Sequence, residues 1–288
     1  MLNHDSPSEI RKVLAELNVR LHKRWGQHFL INRTARQKIA ALVDPHGHET
    51  VWEIGPGLGA LTELLLPRVE ILVAFEIDRG LIRFLRSSFA GQEKLRLVPG
   101  DALRTWPEQL AEHGLPHKIA GNLPYGSASA LVADLAERRI FPERMVFTVQ
   151  REMAARMRAR PGSKNYSSFS VLCQSAYRIE EELQLKPGSF FPPPEVVSSV
   201  VMLRPRWETA AFAHWGLFLR LLRILFRSRR KTVRNNLLAG GLAGRGEVER
   251  LIEAVREAGI EPGVRGERLS YGELMRMAEC LSAVLQDL

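Results

Sequence analysis

The sequence predicts an α/β protein: a mostly parallel sheet with helices on both faces, followed by a small all-helical part. Two observations carry this. Between residues 50 and 150, apolar segments of strand length alternate with amphipathic segments of helix length, the pattern of successive βα units. Beyond Pro205, apolar residues recur at helical spacing and no strand pattern returns. A chain of 288 residues accommodates one large domain and one small one.

Residues 7–18 read as a short amphipathic helix, with Ser6 suited to cap it and Pro7 to its first turn. A basic linker leads to Gly26-Gln27-His28-Phe29-Leu30, and 33–43 is helical again. Thr50–Ile54 is the first buried strand, and Leu58–Pro67 is a helix entered through a glycine turn. Ile71–Phe75 is a strand, Arg79–Ser88 a helix and Leu95–Val98 a strand. Lys118–Gly121 is the fourth strand, Ser127–Arg138 a helix and Arg144–Gln150 the fifth strand, after which the chain is helical to about Arg158. Segments 176–186 and 195–204 have β character and suit a closing hairpin of the same sheet. Helices are expected over 212–226, 247–258 and 272–285, separated by Gly240-Gly241 and Gly244-Arg245-Gly246. The expected division is a helical, basic extension over 1–25, an α/β domain over 26–205 and a helical domain over 206–288.

Hydrophobic residues make up 45% and charged residues 25%, as in a soluble globular protein. No apolar run approaches the roughly 20 residues needed to cross a bilayer, and the N-terminus lacks an apolar signal region. No membrane partner is expected, and the cytoplasm is the expected compartment. Cys173 and Cys280 form neither a disulfide framework nor a metal-ligand spacing, so no metal is expected.

The net charge of +9 favours polyanionic partners. Its placement narrows them. Residues 1–38 carry eight Lys/Arg against three Asp/Glu. Arg220, Arg223, Arg227, Arg229, Arg230, Lys231 and Arg234 follow one another with no acid between them. Such clustering favours contact with a phosphate backbone over simple solubility.

Glu53-Ile54-Gly55-Pro56-Gly57-Leu58-Gly59 joins the first strand to a helix. Glycines belong where backbone must approach a ligand or adopt positive φ. The spacing is Gly-x-Gly-x-Gly, an acid precedes it, and Glu76 ends the second strand, where a carboxylate can accept both hydroxyls of a ribose. Asp101, after the third strand, can accept from an adenine amine. Three carboxylates at the ends of consecutive strands lie along the crevice where open α/β sheets bind ligands. The spacing and Glu53, suited to a cationic amino-acid end, favour S-adenosyl-L-methionine over a dinucleotide.

Asn122-Leu123-Pro124-Tyr125 follows the fourth strand on the same edge. The N6 amine of adenine is a poor nucleophile, because its lone pair is delocalised into the ring. Accepting both of its hydrogens, one on the Asn122 side-chain oxygen and one on a backbone carbonyl at Leu123 or Pro124, frees that lone pair for a methyl donor. Tyr125 would stack on a base swung out of its helix. Phe190, opening Phe190-Phe191-Pro192-Pro193-Pro194, would wall the base on the other side. Each motif alone also fits a plain turn or a core segment.

Taken together, the sequence resembles the ribosomal RNA adenine dimethyltransferase family, KsgA/RsmA. The resemblance rests on Gly26–Leu30, Glu53–Gly59, Glu76-Ile77-Asp78, Gly100-Asp101-Ala102, Asn122–Tyr125, Phe190-x-Pro192-x-Pro194-x-Val196-x-Ser198, Arg229–Leu237 and Leu269-Ser270, in order along nearly the whole chain. It implies a Rossmann-like class I methyltransferase domain with a helical rRNA-recognition domain. It also implies S-adenosyl-L-methionine as donor with S-adenosylhomocysteine as product, and dimethylation of two adjacent adenosines near the 3′ end of 16S rRNA in the small ribosomal subunit. It assigns His28, Leu30, Gly55, Glu76, Asp101 and Asn122 to the cofactor, with Glu53 and Gly57 in the same loop. It assigns Asn122, Tyr125 and Phe190 to the base. A monomer is expected. Three positions depart from the family pattern: His28 stands where Asn is commoner, Gly126-Ser127-Ala128 where Asn-Ile-Ser is usual, and Glu195 where Lys is frequent. Two other functions fit parts of the pattern: a 23S rRNA adenine methylase, and a non-catalytic ribosome assembly factor.

Overall fold

The computed structural model describes residues 2–19, 27–123, 128–242 and 247–286. In chain order the elements are α1 (Pro7–Glu16), β1 (Phe29–Leu30), α2 (Arg33–Val43), β2 (Thr50–Ile54), α3 (Thr62–Leu65), β3 (Ile71–Glu76), α4 (Arg79–Ser88), β4 (Leu95–Pro99), α5 (Ala102–His113), β5 (Lys118–Asn122), α6 (Ala128–Glu137) and β6 (Arg144–Gln150). They continue with α7 (Arg151–Met157), α8 (Ser168–Ala176), β7 (Tyr177–Leu185), β8 (Phe190–Phe191), β9 (Ser198–Pro205), α9 (Trp207–Ala210), α10 (Trp215–Arg227), α11 (Val233–Ala239), α12 (Val248–Glu257) and α13 (Tyr271–Gln286).

The chain forms two compact units: Met1–Ala154 with Arg178–Pro205, and Ala155–Tyr177 with Arg206–Leu288. In the first unit a seven-stranded sheet runs in the order β4-β3-β2-β5-β6-β9-β7. The pairs from β4 to β6 are parallel, while β9 is antiparallel to β6. The parallel strands read as continuous apolar runs because helices cover both faces. The buried cation among them, Lys118, is 3% exposed; it pairs with Glu49 at 2.8 Å and donates to the Asp44 carbonyl.

Five helices depart from expectation: α9 and α11 are additional short helices, and the other three have local reasons. The segment after the glycine turn is helical only over Thr62–Leu65, followed by a 3-10 turn at Leu66–Arg68, because Pro67 cannot continue the ladder. Helix α5 is not expected from the sequence, since Pro107 sits inside it. Helix α8 starts at a reciprocal cap between Ser167 and Ser170, which supplies the nucleating bonds that its small polar residues do not advertise.

The packing keeps the expected division at Pro205 but redraws the rest. Ile10 and Leu14 of α1 are buried with Leu58 and Leu81, so the N-terminal helix is part of the α/β unit rather than an extension from it. Residues 155–177 pack with the C-terminal helices. Tyr166 is buried and its hydroxyl donates to the Leu269 carbonyl at 2.7 Å, the Gly162 N–H donates to the Glu267 carbonyl at 2.7 Å, and α8 packs on α10 and α13. Among the described residues no helix is long and apolar enough to cross a membrane.

Candidate active site

The strand order of the sheet reverses between β2 and β5, where open α/β sheets bind ligands outside the carboxyl ends of the strands. A cavity of about 470 Å³ lies there. It is lined by His28, Leu30, Glu53, Gly55, Gly57, Glu76, Asp101 and Asn122, the set that the sequence nominates for a cofactor.

The glycine loop has the backbone its composition suggests. Gly55, Gly57 and Gly59 have φ of 69°, 61° and 85°, a region that other residues rarely enter. A Cβ on Gly57 would lie 3.2 Å from the Phe29 ring, so this aromatic rests on the loop. The Gly57 N–H donates to Glu76 Oε2 at 3.1 Å, and the N–H groups of Ile77 and Asp78 donate to Oε1 at 2.9 Å each. These bonds fix the carboxylate of Glu76 and leave part of its acceptor capacity for a ligand.

Glu53 is 1% exposed below the loop and accepts from the Thr62 hydroxyl at 2.7 Å. Burial pushes its carboxyl up to about 7; the Glu76 charge adds to this and the Thr62 bond opposes it. Burial likewise pushes Glu76 up to about 7, against the pull of its backbone hydrogen bonds. Two acids buried against one cavity favour a cationic occupant, which would restore their ionised form. Asp101 lines the cavity and also caps α5, with Oδ1 accepting from the Leu103 N–H at 3.0 Å.

At the end of β5, Asn122 Nδ2 donates to the main-chain carbonyl of His28 at 2.6 Å. A carbonyl can only accept, so this bond assigns the nitrogen and directs the Asn122 oxygen elsewhere. The His28 ring makes a second link, from Nδ1 to the Pro192 carbonyl at 2.7 Å, which requires the hydrogen on Nδ1. Leu123 is 2% exposed, and its N–H donates to the carbonyl of Thr148, another cavity residue. Pro124 and Tyr125 lie outside the described residues.

The two motifs that flank the site in sequence pair with each other. β1 and β8 form an antiparallel ladder with Phe29 opposite Phe191 and Leu30 opposite Phe190. Side chains alternate across a strand, so the ladder sorts them into two sets. Leu30 and Phe190 enter the main core, while Phe29 and Phe191 turn towards the cluster under α1. Phe190 is 2% exposed, packs in the core and is not among the residues lining the donor cavity. The aromatic that does reach the cavity from this ladder is Phe29. Sequence reasoning also passes over Thr62, Thr148 and Arg36; only Thr62, nine residues after Glu53 on the opening turn of a helix, carries a usable signal.

In the second unit all seven residues of the basic cluster are exposed. Arg229 pairs with Glu267 at 2.7 Å, Arg234 with Glu249 at 3.0 Å, and Arg220 donates to the Gly241 carbonyl at 3.1 Å. Arg227, Arg230 and Lys231 have no ion-pair partner among the described residues.

A doubly wound sheet, a glycine loop at its switch point and an Asn-ended strand beside it define a Rossmann-like methyltransferase. Solved structures agree. The chain superposes on a dimethyladenosine transferase from Plasmodium falciparum with TM-score 0.74 and 24% identity, over 85% of this chain and 94% of that one. It superposes on the 23S rRNA methyltransferase ErmE with TM-score 0.63 and 25% identity, over 88% and 99%. The ribosomal RNA adenine dimethylase family matches residues 18–282, and the chain belongs to that family. It is an rRNA adenine dimethyltransferase. Its relatives include proteins called ribosomal RNA small subunit methyltransferase A: from Treponema denticola, 36% identical over 97% of this chain and 96% of the relative, and from Treponema pallidum, 38% identical over 98% and 99%.

Proposed function

We propose that this enzyme dimethylates N6 of two adjacent adenosines near the 3′ end of small-subunit rRNA, with S-adenosyl-L-methionine as donor. The observation that carries the reading is the fixed amide of Asn122 at the rim of a cavity lined with acids. The donor supplies an electrophilic methyl group on a sulfonium. Glu53 and Glu76 suit its positive charges, and the bare backbone at Gly55 and Gly57 leaves room for close approach. Glu76 is placed to accept from ribose hydroxyls and Asp101 from an adenine amine, while His28 and Leu30 line the same cavity.

The chemistry assigned to the chain is positioning. The Asn122 oxygen accepts one N6 hydrogen of the target adenine, and a carbonyl at Leu123 or Pro124 accepts the other. The nitrogen can then pyramidalise and direct its lone pair at the methyl group. Tyr125 stacks on the extruded base.

The relatives' names favour the small subunit over the large one, and the exposed cations of the second unit suit a folded RNA. The enzyme works in the cytoplasm, as a single chain. Asn122→Ala is expected to abolish methyl transfer while RNA affinity holds; full activity in that variant would remove the mechanism. Methylation of isolated subunits, with the 3′ end of small-subunit rRNA read by mass spectrometry, tests the substrate. Activity confined to large subunits would favour the 23S reading instead.

A further inference from the structure

Residues 2–17 precede the region that matches the family, yet His4 and Ile10 line the same cavity as Glu53 and Asn122. The segment is held there by polar and apolar contacts. Arg36 on α2 is 7% exposed and also lines the cavity. Its Nη1 donates to the carbonyl of Leu30 at 3.1 Å and to that of His4 at 3.4 Å, and its Nη2 donates to the Asp5 carboxylate. One buried cation therefore joins the cofactor strand β1 to the N-terminal segment. His4 Nε2 lies 3.4 Å from Glu63 Oε2 on α3, the helix that leaves the glycine loop. Ile10 and Leu14 pack on Leu58, inside that loop, and on Leu81 of α4. The returning chain passes so close to α4 that a Cβ on Gly80 would lie 2.4 Å from Val19 Cγ2.

We propose that residues 2–19 form a wall of the donor cavity, and that Arg36 is the positioning residue that holds this wall against Leu30. The inference rests on the cavity being the donor site. The segment touches α2, α3, the glycine loop and α4, so it closes a side of the cavity that the Rossmann-like core leaves open. Burying Arg36 without a partner carboxylate is costly, so Asp5 keeps the wall in register. The wall's role is to exclude water and slow escape of the bound nucleoside; it takes no part in methyl transfer.

The test is binding of S-adenosylhomocysteine, measured as affinity and dissociation rate, in the wild type, Asp5→Ala, Arg36→Lys, a deletion of residues 2–17, and Glu76→Gln. We expect about tenfold weaker binding in Asp5→Ala and the deletion, through faster dissociation, with RNA affinity unchanged. Arg36→Lys keeps the charge but not the fork of donors, so it should rescue little. KM for the donor should rise with kcat at saturating donor retained, a split that plain destabilisation does not produce. If the deletion or Arg36→Lys fails to fold, Asp5→Ala decides, because its side chain is 39% exposed. Unchanged dissociation in a folded Asp5→Ala, with binding still lost in Glu76→Gln, overturns the wall and leaves the donor site standing. Wild-type affinity in Glu76→Gln overturns the donor site, and the wall with it.

Discussion

The side-chain nitrogen of Asn122 donates to the main-chain carbonyl of His28 at 2.6 Å, which decides which end of the amide remains to meet a substrate. Asn122→Asp keeps the shape and removes the donor. A carboxylate oxygen would then face the His28 carbonyl, and the side chain should rotate away. Methyl transfer is expected to fall on the order of 10²-fold to 10³-fold, the scale of removing one preorganised polar group from a reacting centre. Single-turnover rates at saturating donor and RNA would show it; a loss below about threefold would mean that the amide is not held for catalysis.

His28 anchors that carbonyl from the other side, through its ring and the Pro192 carbonyl. An Asn side chain has an N–H of similar reach, so His28→Asn should keep most of the rate, whereas His28→Leu should lose about tenfold, the worth of one hydrogen bond near 1.4 kcal/mol. Equal rates in the two variants would show that the ring bond is incidental.

The acids of the cavity predict a pH dependence with a definite sign. Glu53 and Glu76 are both raised to about 7 from an ordinary 4.5. Between these values the folded protein holds protons that the unfolded chain has released, so their contribution to stability is full below about pH 4.5 and is lost as pH rises through 7. Binding of the cationic donor favours the ionised acids, so donor affinity should rise from pH 6 to pH 8 with release of protons. Glu53→Gln should raise the melting temperature of the ligand-free protein at pH 8 while weakening donor binding. Calorimetry in buffers of different ionisation enthalpy would count the protons, and none released would contradict the assignment.

Gly57→Ala should cost stability on two grounds. Its φ of 61° strains an L-residue, and its Cβ would press on the Phe29 ring at 3.2 Å. A loss of about 1–3 kcal/mol is expected from the backbone alone. Donor affinity should fall as well, because Phe29 lines the cavity. Chemical denaturation with and without S-adenosylhomocysteine separates the two effects.

The basic cluster should not act as seven equal charges. Reversing Arg227, Arg230 and Lys231 should weaken RNA binding and flatten its salt dependence, by a slope of roughly 0.7–0.9 for each phosphate no longer neutralised. Reversing Arg229 or Arg234 also breaks a pair with Glu267 or Glu249, so stability should change as well as affinity. A salt slope unchanged by the triple reversal would place the RNA elsewhere.

Much of the site is legible in the sequence because its residues are tied to strand ends. Glu53, Glu76, Asp101 and Asn122 each close or follow a parallel strand, and a parallel sheet brings those ends to one edge whatever the helices do. The helices are less legible where local signals conflict. Pro107 argues against α5, and the small polar residues of α8 give little periodic signal; tertiary burial overrides both.

The α/β class, the glycine loop and the Asn-ended strand are written in the chain itself, because strand period, glycine spacing and carboxylate placement are local properties. Register and long-range packing settle the rest, and they arise only in the folded molecule. Pairing Leu30 with Phe190 sends Phe190 into the core and leaves Phe29 at the cavity, since one residue of slip in a β ladder exchanges its faces. The bond from Asn122 to His28 spans 94 residues of sequence, and the cation joining Asp5 to Leu30 stands outside every motif. No pattern in the chain announces such contacts, because they exist only once the sheet edge, the N-terminal helix and β8 have been folded onto one another.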